Sequence, residues 1–180
     1  MAPSVGFDAE MNYNSKTITR GWVSAYSASY SRRLYDYGDT AGCPQSYSFN
    51  GSSYVTGQSS SAGNCNNGWT QDDVRYVSWG ASPSWPFPEI YTTADSVGFS
   101  AQAVQWQRIS NYSLLAYGSK LQISGVLTQY GACVETNQAC TGVKNQPNDG
   151  YNQLWNSLQY LDSGVVAFTP GWLSDIHWWQ

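Results

Sequence analysis

The stretch Val5-Gly6-Phe7-Asp8-Ala9-Glu10 decides the fold, because an apolar run there passes into two acids just before a helical segment. We predict a strand over Ser4–Glu10, a helix over Lys16–Arg32 with Ser15 as its N-cap, and a second strand over Leu34–Tyr37. Four apolar side chains recur at helical spacing and predict the buried face of this helix: Ile18, Trp22, Tyr26 and Tyr30. Strand, helix and strand in this order predict a βαβ unit.

The rest of the chain continues this alternation after a long polar loop, Thr40–Asp73. The predicted strands are Val74–Trp79, Leu121–Gln129, Val165–Phe168 and Leu173–Trp178, and the predicted helices are Val97–Ala116 and Asp149–Leu161. Alternating strands and helices predict a largely parallel sheet. We therefore expect residues 1–180 to form a single α/β domain.

The composition excludes several classes of protein. Hydrophobic residues make up 41% of the chain, which supports a folded core, and only 11% of residues are charged. The formal net charge is −4 and no basic run occurs, so we do not expect nucleic acid as a partner. No apolar run approaches the roughly 18 residues that a membrane span needs, so none is expected.

The chain has four cysteines. We predict the pairs Cys43–Cys65 and Cys133–Cys140, because each pair would close a polar loop. No pair has the C-x-x-C spacing typical of zinc sites, and we expect no metal and no cofactor. Disulfides predict a secreted protein in an oxidising compartment, whereas four free thiols would indicate the cytosol.

The ends of the predicted strands carry polar and aromatic side chains. In parallel α/β folds, ligands bind at the carboxyl ends of the strands. The residues found there are Asp8, Glu10, Asp36, Asp39, Trp79, Glu89, Gln129, Tyr130, Asp175, His177 and Trp178. Their convergence on one edge is the main functional indication of the sequence.

Asp8 and Glu10 form a D-x-E pair. Residues two apart on a strand point to the same face, with Cα atoms about 6.6 Å apart. Two carboxylates this close repel, which raises the pKa of one of them and suits the acid of a glycoside hydrolase. The alternative is a solvated strand end or a helix cap. Asp175 and His177 also share a strand face, where they could relay a proton, bind a sugar or simply pack near the C-terminus.

Aromatic residues are abundant, with nine Trp and fourteen Tyr. Their flat apolar faces and polar edges suit stacking on sugar rings. Trp85 lies in a proline-rich stretch, where we expect an exposed loop at the mouth of a cleft. We expect Trp22, Trp106 and Trp155 to pack into the core from helix faces.

The chain resembles part of a bacterial family in three consecutive places: Val5–Glu10, the helix with Trp22, and the stretch Leu34-Tyr35-Asp36-Tyr37-Gly38. This family is the secreted glycoside hydrolase-like domain of unknown function, related to the lysozymes of glycoside hydrolase family 25. Three further stretches resemble the later strands of this family: Tyr76–Trp79, Leu127–Tyr130 and Asp175–Trp178. The resemblance implies a TIM-barrel-like fold, with Asp8 and Glu10 as the acids and Asp175 as a further acid of the cleft. A full barrel needs roughly 200 to 250 residues or more, so 180 residues imply a shortened or incomplete barrel.

These observations predict a secreted hydrolase acting on a polysaccharide or cell-wall glycan. Glu10 would be the general acid, Asp8 its electrostatic partner, and Asp175 or Glu89 a second carboxylate across the cleft. The residues expected to bind the glycan are Asp36, Trp79, Trp85, Glu89, Gln129, Tyr130, His177 and Trp178. One alternative is a non-catalytic carbohydrate-binding protein on the same scaffold, and another is a structural secreted protein.

Overall fold

The computed structural model describes residues 4–137, 139–162 and 170–177. It is a mixed α/β structure with short parallel strands and longer helices. The main elements are, in chain order, β1 (Val5–Phe7), α1 (Lys16–Ser29), β2 (Leu34–Asp36), β3 (Ser48–Phe49), β4 (Tyr54–Val55), α2 (Gln71–Arg75), β5 (Ser84–Pro86), α3 (Ala101–Tyr117), β6 (Gly125–Thr128), α4 (Tyr130–Glu135), α5 (Pro147–Tyr160) and β7 (Trp172–Asp175). The predicted strand Val165–Phe168 lies outside the described residues.

The parallel strands neighbour one another in chain order. β1, β2 and β5 form one sheet, in which Phe7, Asp36 and Pro86 are aligned. β6 and β7 form a second parallel pair. A parallel bridge between Glu89 and Leu127 connects β6 to the segment that follows β5. The predicted parallel sheet is therefore confirmed.

The described residues do not form a closed barrel, so the expected TIM-barrel-like closure is not seen in them. β1 pairs only with β2, and β7 pairs only with β6, among the strands that the structure describes. Five parallel strands are fewer than the eight that close such a barrel. The remaining two strands, β3 and β4, form a separate antiparallel hairpin within the predicted long loop.

The core lies between the sheet and the helices. Leu34 of β2 and Val126 of β6 are fully buried with Val23 of α1, Trp106 of α3 and Leu154 of α5. Burying a side chain of this size contributes about 1.5–3 kcal/mol. The prediction that Trp106 belongs to the core is confirmed.

The predicted strand Val74–Trp79 is wrong. This segment continues α2 into a π-helical turn over Tyr76–Gly80. Val74, Val77 and Ser78 are buried, which is the i, i+3, i+4 spacing of a helix face. Thr70 and Asp73 begin the helix with reciprocal capping hydrogen bonds, so local chemistry favours a helix here.

The predicted buried face of α1 is wrong for three of its four residues, since only Tyr26 packs against the core. Val23 is the buried residue of this helix, whereas Ile18, Trp22 and Tyr30 are 74%, 46% and 59% exposed. Arg20 holds the helix to α2 through hydrogen bonds to Asp72 and Asp73. Val23, the half-buried Tyr26 and a set of ion pairs therefore replace the broad apolar interface that the spacing predicted.

Both predicted disulfides are present, Cys43–Cys65 and Cys133–Cys140. They are compatible with an extracellular protein, because disulfides persist in oxidising compartments. Within the described ranges, no helix combines the length and the apolar character needed to cross a membrane.

Candidate active site

The segment between β1 and α1 presents Asp8 and Glu10. The carbonyl of Glu10 accepts hydrogen bonds from the amides of Tyr13 and Asn14, which closes a turn before the helix. Gly38, just after β2, presses against the same segment. A Cβ at position 38 would lie 2.6 Å from the carbonyl oxygen of Ala9, so the lack of a side chain permits this approach.

Glu89 comes from the segment after β5 and meets the D-x-E pair. Its neighbours are held by β6, since the Leu127 amide donates to the Pro88 carbonyl at 2.8 Å and the Ile90 amide donates to the Leu127 carbonyl at 2.9 Å. One carboxylate oxygen from each of Asp8, Glu10 and Glu89 lies within 4.8 Å of the others. We call these three residues the carboxylate cluster. Glu89, one of the two expected second carboxylates, is therefore beside the predicted pair.

Two further acids support the cluster. Asp36 is buried and accepts a hydrogen bond from the Gly38 amide at 2.9 Å, while Asp39 accepts one from the Met11 amide at 3.1 Å. Asp36 thus orients the loop rather than facing solvent. Five of the chain's 12 acids meet in this region, and none of them forms an ion pair with a basic residue of the described chain.

Burial and mutual repulsion keep protons on this site. Burial, together with the charges of Asp8, Glu10 and Asp39, raises the pKa of Glu89 to about 9. Partial burial, then Asp8 and Asp39, raise the pKa of Glu10 above its ordinary value. Burial and Asp39 raise the pKa of Asp8, and burial raises the pKa of Asp36 to about 7. Glu89 is therefore protonated at neutral pH.

The sequence placed Asp39 at a strand end without giving it a role, and it did not single out Tyr91. The Tyr91 hydroxyl donates to the Glu89 carboxylate, and burial followed by Glu89 raises the pKa of Tyr91. Their positions in the sequence could have indicated the site, because Asp39 follows the end of a predicted strand and Tyr91 is two residues after Glu89. The oxygens of the carboxylate cluster are also close enough to share a cation, and hard cations prefer such ligands.

A separate region, where β6 and β7 end, contains four of the predicted site residues: Asp175, His177, Gln129 and Tyr130. The Asp175 carboxylate accepts hydrogen bonds from the Thr128 hydroxyl and the Gly131 amide, both at 2.8 Å. His177 is exposed and lies 2.7 Å from Glu135, which raises the pKa of the imidazole. Gln129 is the N-cap of α4, and Tyr130 is its first residue. The geometry gives Asp175 a role in joining β7 to β6 and α4.

Trp79 and Trp85 do not line the carboxyl edge of the sheet. Trp85 is part of β5 and pairs with Tyr35, so the expected loop is wrong, because the flanking prolines leave the strand's pairing intact. The side chain is half-buried, so Trp85 is partly exposed, as expected. Its ring packs against Trp79 at 5.5 Å and beneath the guanidinium of Arg33 at 4.3 Å. Trp178, a predicted sugar platform, lies outside the described residues.

A shallow groove of about 230 Å³ adjoins the carboxylate cluster. It is lined by Phe7, Asp8, Asn14, Ile18, Thr19 and Trp22. Two larger depressions, of about 390 and 400 Å³, lie on either side of Phe99 and share no lining residue with this groove. The groove therefore gives a ligand a path to Asp8, and it places the exposed Trp22 beside that path.

Comparison with known proteins leaves the family of this chain open. No protein-family model matches the sequence, and neither the search of curated proteins nor the search of solved structures gives a match.

Proposed function

We propose that this protein is a secreted hydrolase of a polysaccharide or cell-wall glycan and that the carboxylate cluster is its active site. The observation that carries the proposal is Glu89, a buried carboxyl that keeps its proton at neutral pH within 4.8 Å of Asp8 and Glu10. Glycoside hydrolysis needs one protonated carboxyl and one ionised carboxylate in this relation.

In the proposed reaction, Glu89 donates its proton to the glycosidic oxygen as the bond from that oxygen to the anomeric carbon breaks. The bonding electrons leave with the oxygen, and the ionised Asp8 stabilises the positive charge that develops on the sugar. Water then adds to the anomeric carbon, and Glu89 takes up the proton that this water releases. The short spacing of the carboxylates favours retention of the anomeric configuration.

Glu89 replaces Glu10 as our preferred general acid, because burial is greater at Glu89 and its pKa is raised further. Glu10 is half-buried and has a raised pKa, so it is the second candidate. The alkaline limb of the pH dependence of kcat/KM distinguishes Glu89 from Glu10 as the general acid. If Glu89 is the acid, activity falls as pH rises through about 9, because the required proton is lost there.

The decisive experiment is the release of reducing ends from insoluble peptidoglycan, chitin and cellulose. We expect Glu89→Gln to lower turnover about 10²- to 10⁴-fold, since Gln keeps the shape and loses the proton. Glu135→Gln, at an exposed position at the end of α4, is the matched control and should have the turnover of the parent. If Glu10→Gln loses turnover to this extent and Glu89→Gln does not, Glu10 is the general acid instead of Glu89.

A non-catalytic carbohydrate-binding protein is the second candidate, and the exposed Trp22 beside the groove favours it. Such a protein would use the acids only as hydrogen-bond acceptors for hydroxyl groups. Retention on a polysaccharide without any release of reducing ends would support this function and contradict the hydrolase.

A further inference from the structure

A row of aromatic side chains along α1 leads away from the carboxylate cluster, and its two outer rings are exposed while the middle ring is half-buried against the core. Phe7 contacts Trp22, Trp22 contacts Tyr26, and Tyr26 contacts Tyr30, with ring centroids 5.3, 5.8 and 5.0 Å apart. Trp22 and Tyr26 of α1 and Tyr30, the C-cap residue that follows the helix, recur every fourth position, so the three rings follow one another over about 12 Å along the helix axis. We call Trp22, Tyr26 and Tyr30 the aromatic row.

The aromatic row is continuous with the proposed active site. Trp22 lines the groove of about 230 Å³ together with Asp8 and Phe7. A chain whose reacting bond lies at Asp8 would therefore meet Trp22 first and the other two rings after it. This continuity separates the row from an isolated apolar patch.

The chemistry of the row fits a neutral, hydroxyl-rich chain. The two basic side chains of α1, Lys16 and Arg20, form ion pairs with Asp72 and Asp73. The Tyr26 hydroxyl donates to the Arg32 carbonyl at 3.3 Å, which helps to hold the middle ring. An acidic cluster at one end and a net charge of −4 disfavour an anionic membrane surface. The aromatic row therefore offers flat rings with polar edges, and such rings stack on the C–H faces of sugars.

We propose that the aromatic row is a binding track for the polysaccharide chain, extending the active-site groove along α1. This inference rests on the proposed function for its ligand class. Trp22 stacks on the sugar nearest the carboxylate cluster, and Tyr26 and Tyr30 stack on sugars further along the same chain. The track increases the time that a polymer spends at the site and has little effect on short oligosaccharides.

The test measures retention on insoluble peptidoglycan, chitin and cellulose, with every variant made in a Glu89→Gln background so that the polymer stays intact. We expect Trp22→Ala to lower the affinity for the retained polymer about tenfold, in the range of a central contact residue, with a smaller loss for Tyr30→Ala. Trp172→Ala is the matched control, since Trp172 is 68% exposed on β7 and lies outside the row. Circular dichroism and intact disulfides establish that each variant folds.

The outcomes of this test and of the turnover assay are distinguishable. If the parent hydrolyses a polymer and Trp22→Ala is retained as well as Trp172→Ala, the track is refuted and the hydrolase stands. If the polymer is retained through the row but never cleaved, the track stands and the hydrolase fails. Retention of no polymer contradicts the track, and a parent dimer that Trp22→Ala converts to a monomer assigns the row to a second copy instead.

Discussion

Gly38 touches the backbone of the D-x-E segment, so its missing side chain has a direct effect on the site. A Cβ at position 38 would lie 2.6 Å from the Ala9 oxygen and 2.8 Å from the Ala9 nitrogen, and backbone atoms cannot yield easily. We expect Gly38→Ala to lower the free energy of unfolding by about 1–3 kcal/mol, as overpacking does. It should also reduce turnover, because a shift of Ala9 would move Asp8 and Glu10 on either side of it.

Gly21→Ala is the control for this prediction, because a Cβ at position 21 would meet nothing within 4 Å. Gly21 is an exposed position inside α1, where Ala should stabilise the helix by about 0.5–1 kcal/mol. Urea unfolding of both variants measures the two effects. Equal stability of the two variants would show that the chain near Ala9 relaxes freely.

The buried Glu89 also predicts how stability depends on pH. Its pKa rises from 4.5 in the unfolded chain to about 9 in the folded protein, so the folded state holds the extra proton between these values. The free energy of unfolding contributed by Glu89 should therefore fall as pH rises from about 4.5 to about 9. We expect Glu89→Gln to remove this slope and to raise Tm at pH 8 by at least about 2–4 °C, equivalent to about 1 kcal/mol. Thermal melts at pH 5 and pH 8 test it, and parallel slopes for parent and variant would contradict it.

At the scale of elements, the ambiguous segments were those with short apolar runs. The bounds of α1, α3 and α5 lie close to the predicted helices, because these segments are long and their spacing is clear. Val74–Trp79 reads equally as a strand or a helix, and the capping pair Thr70 and Asp73 is what identifies a helix. The exposed face of α1 could not be predicted from spacing, since periodicity locates an apolar face without showing what covers it.

The two disulfides should contribute unequally to stability. Cys43 and Cys65 are 22 residues apart and both lie in the core, whereas Cys133 and Cys140 are only 7 apart. In the chain-entropy model these loops are worth about 3 and about 2 kcal/mol. We expect the double variant of Cys43 and Cys65 to Ala to lose more stability in urea than the corresponding variant of Cys133 and Cys140. The reverse order would mean that native packing, rather than loop length, decides the contribution.

At the scale of the whole molecule, the parallel strand order explains why the acids could be found from the sequence. Asp8 and Glu89 follow strands that lie on either side of β2, and parallel strands bring such ends to one edge. The same rule placed Asp175 there, yet β7 lies beyond β6 from Glu89, so strand spacing keeps it about 10 Å away. Trp79 is not at the predicted strand end, because its segment is a helix. Trp85 is not in the predicted loop, because it lies within β5.

The last prediction separates a structural from a chemical role for Asp175. Its carboxylate joins β7 to Thr128 and to the amide of Gly131, with its side chain only 10% exposed. We expect Asp175→Ala to lower the free energy of unfolding by about 1.5–3 kcal/mol, the value of hydrogen bonds to a charged group. The pH dependence of turnover should stay that of the parent, because Asp175 lies on β7, beyond β6 from Glu89, and is not part of the carboxylate cluster. Urea unfolding and the pH profile of reducing-end release measure both. A variant that keeps the parent's stability and loses turnover would instead assign Asp175 to the reaction.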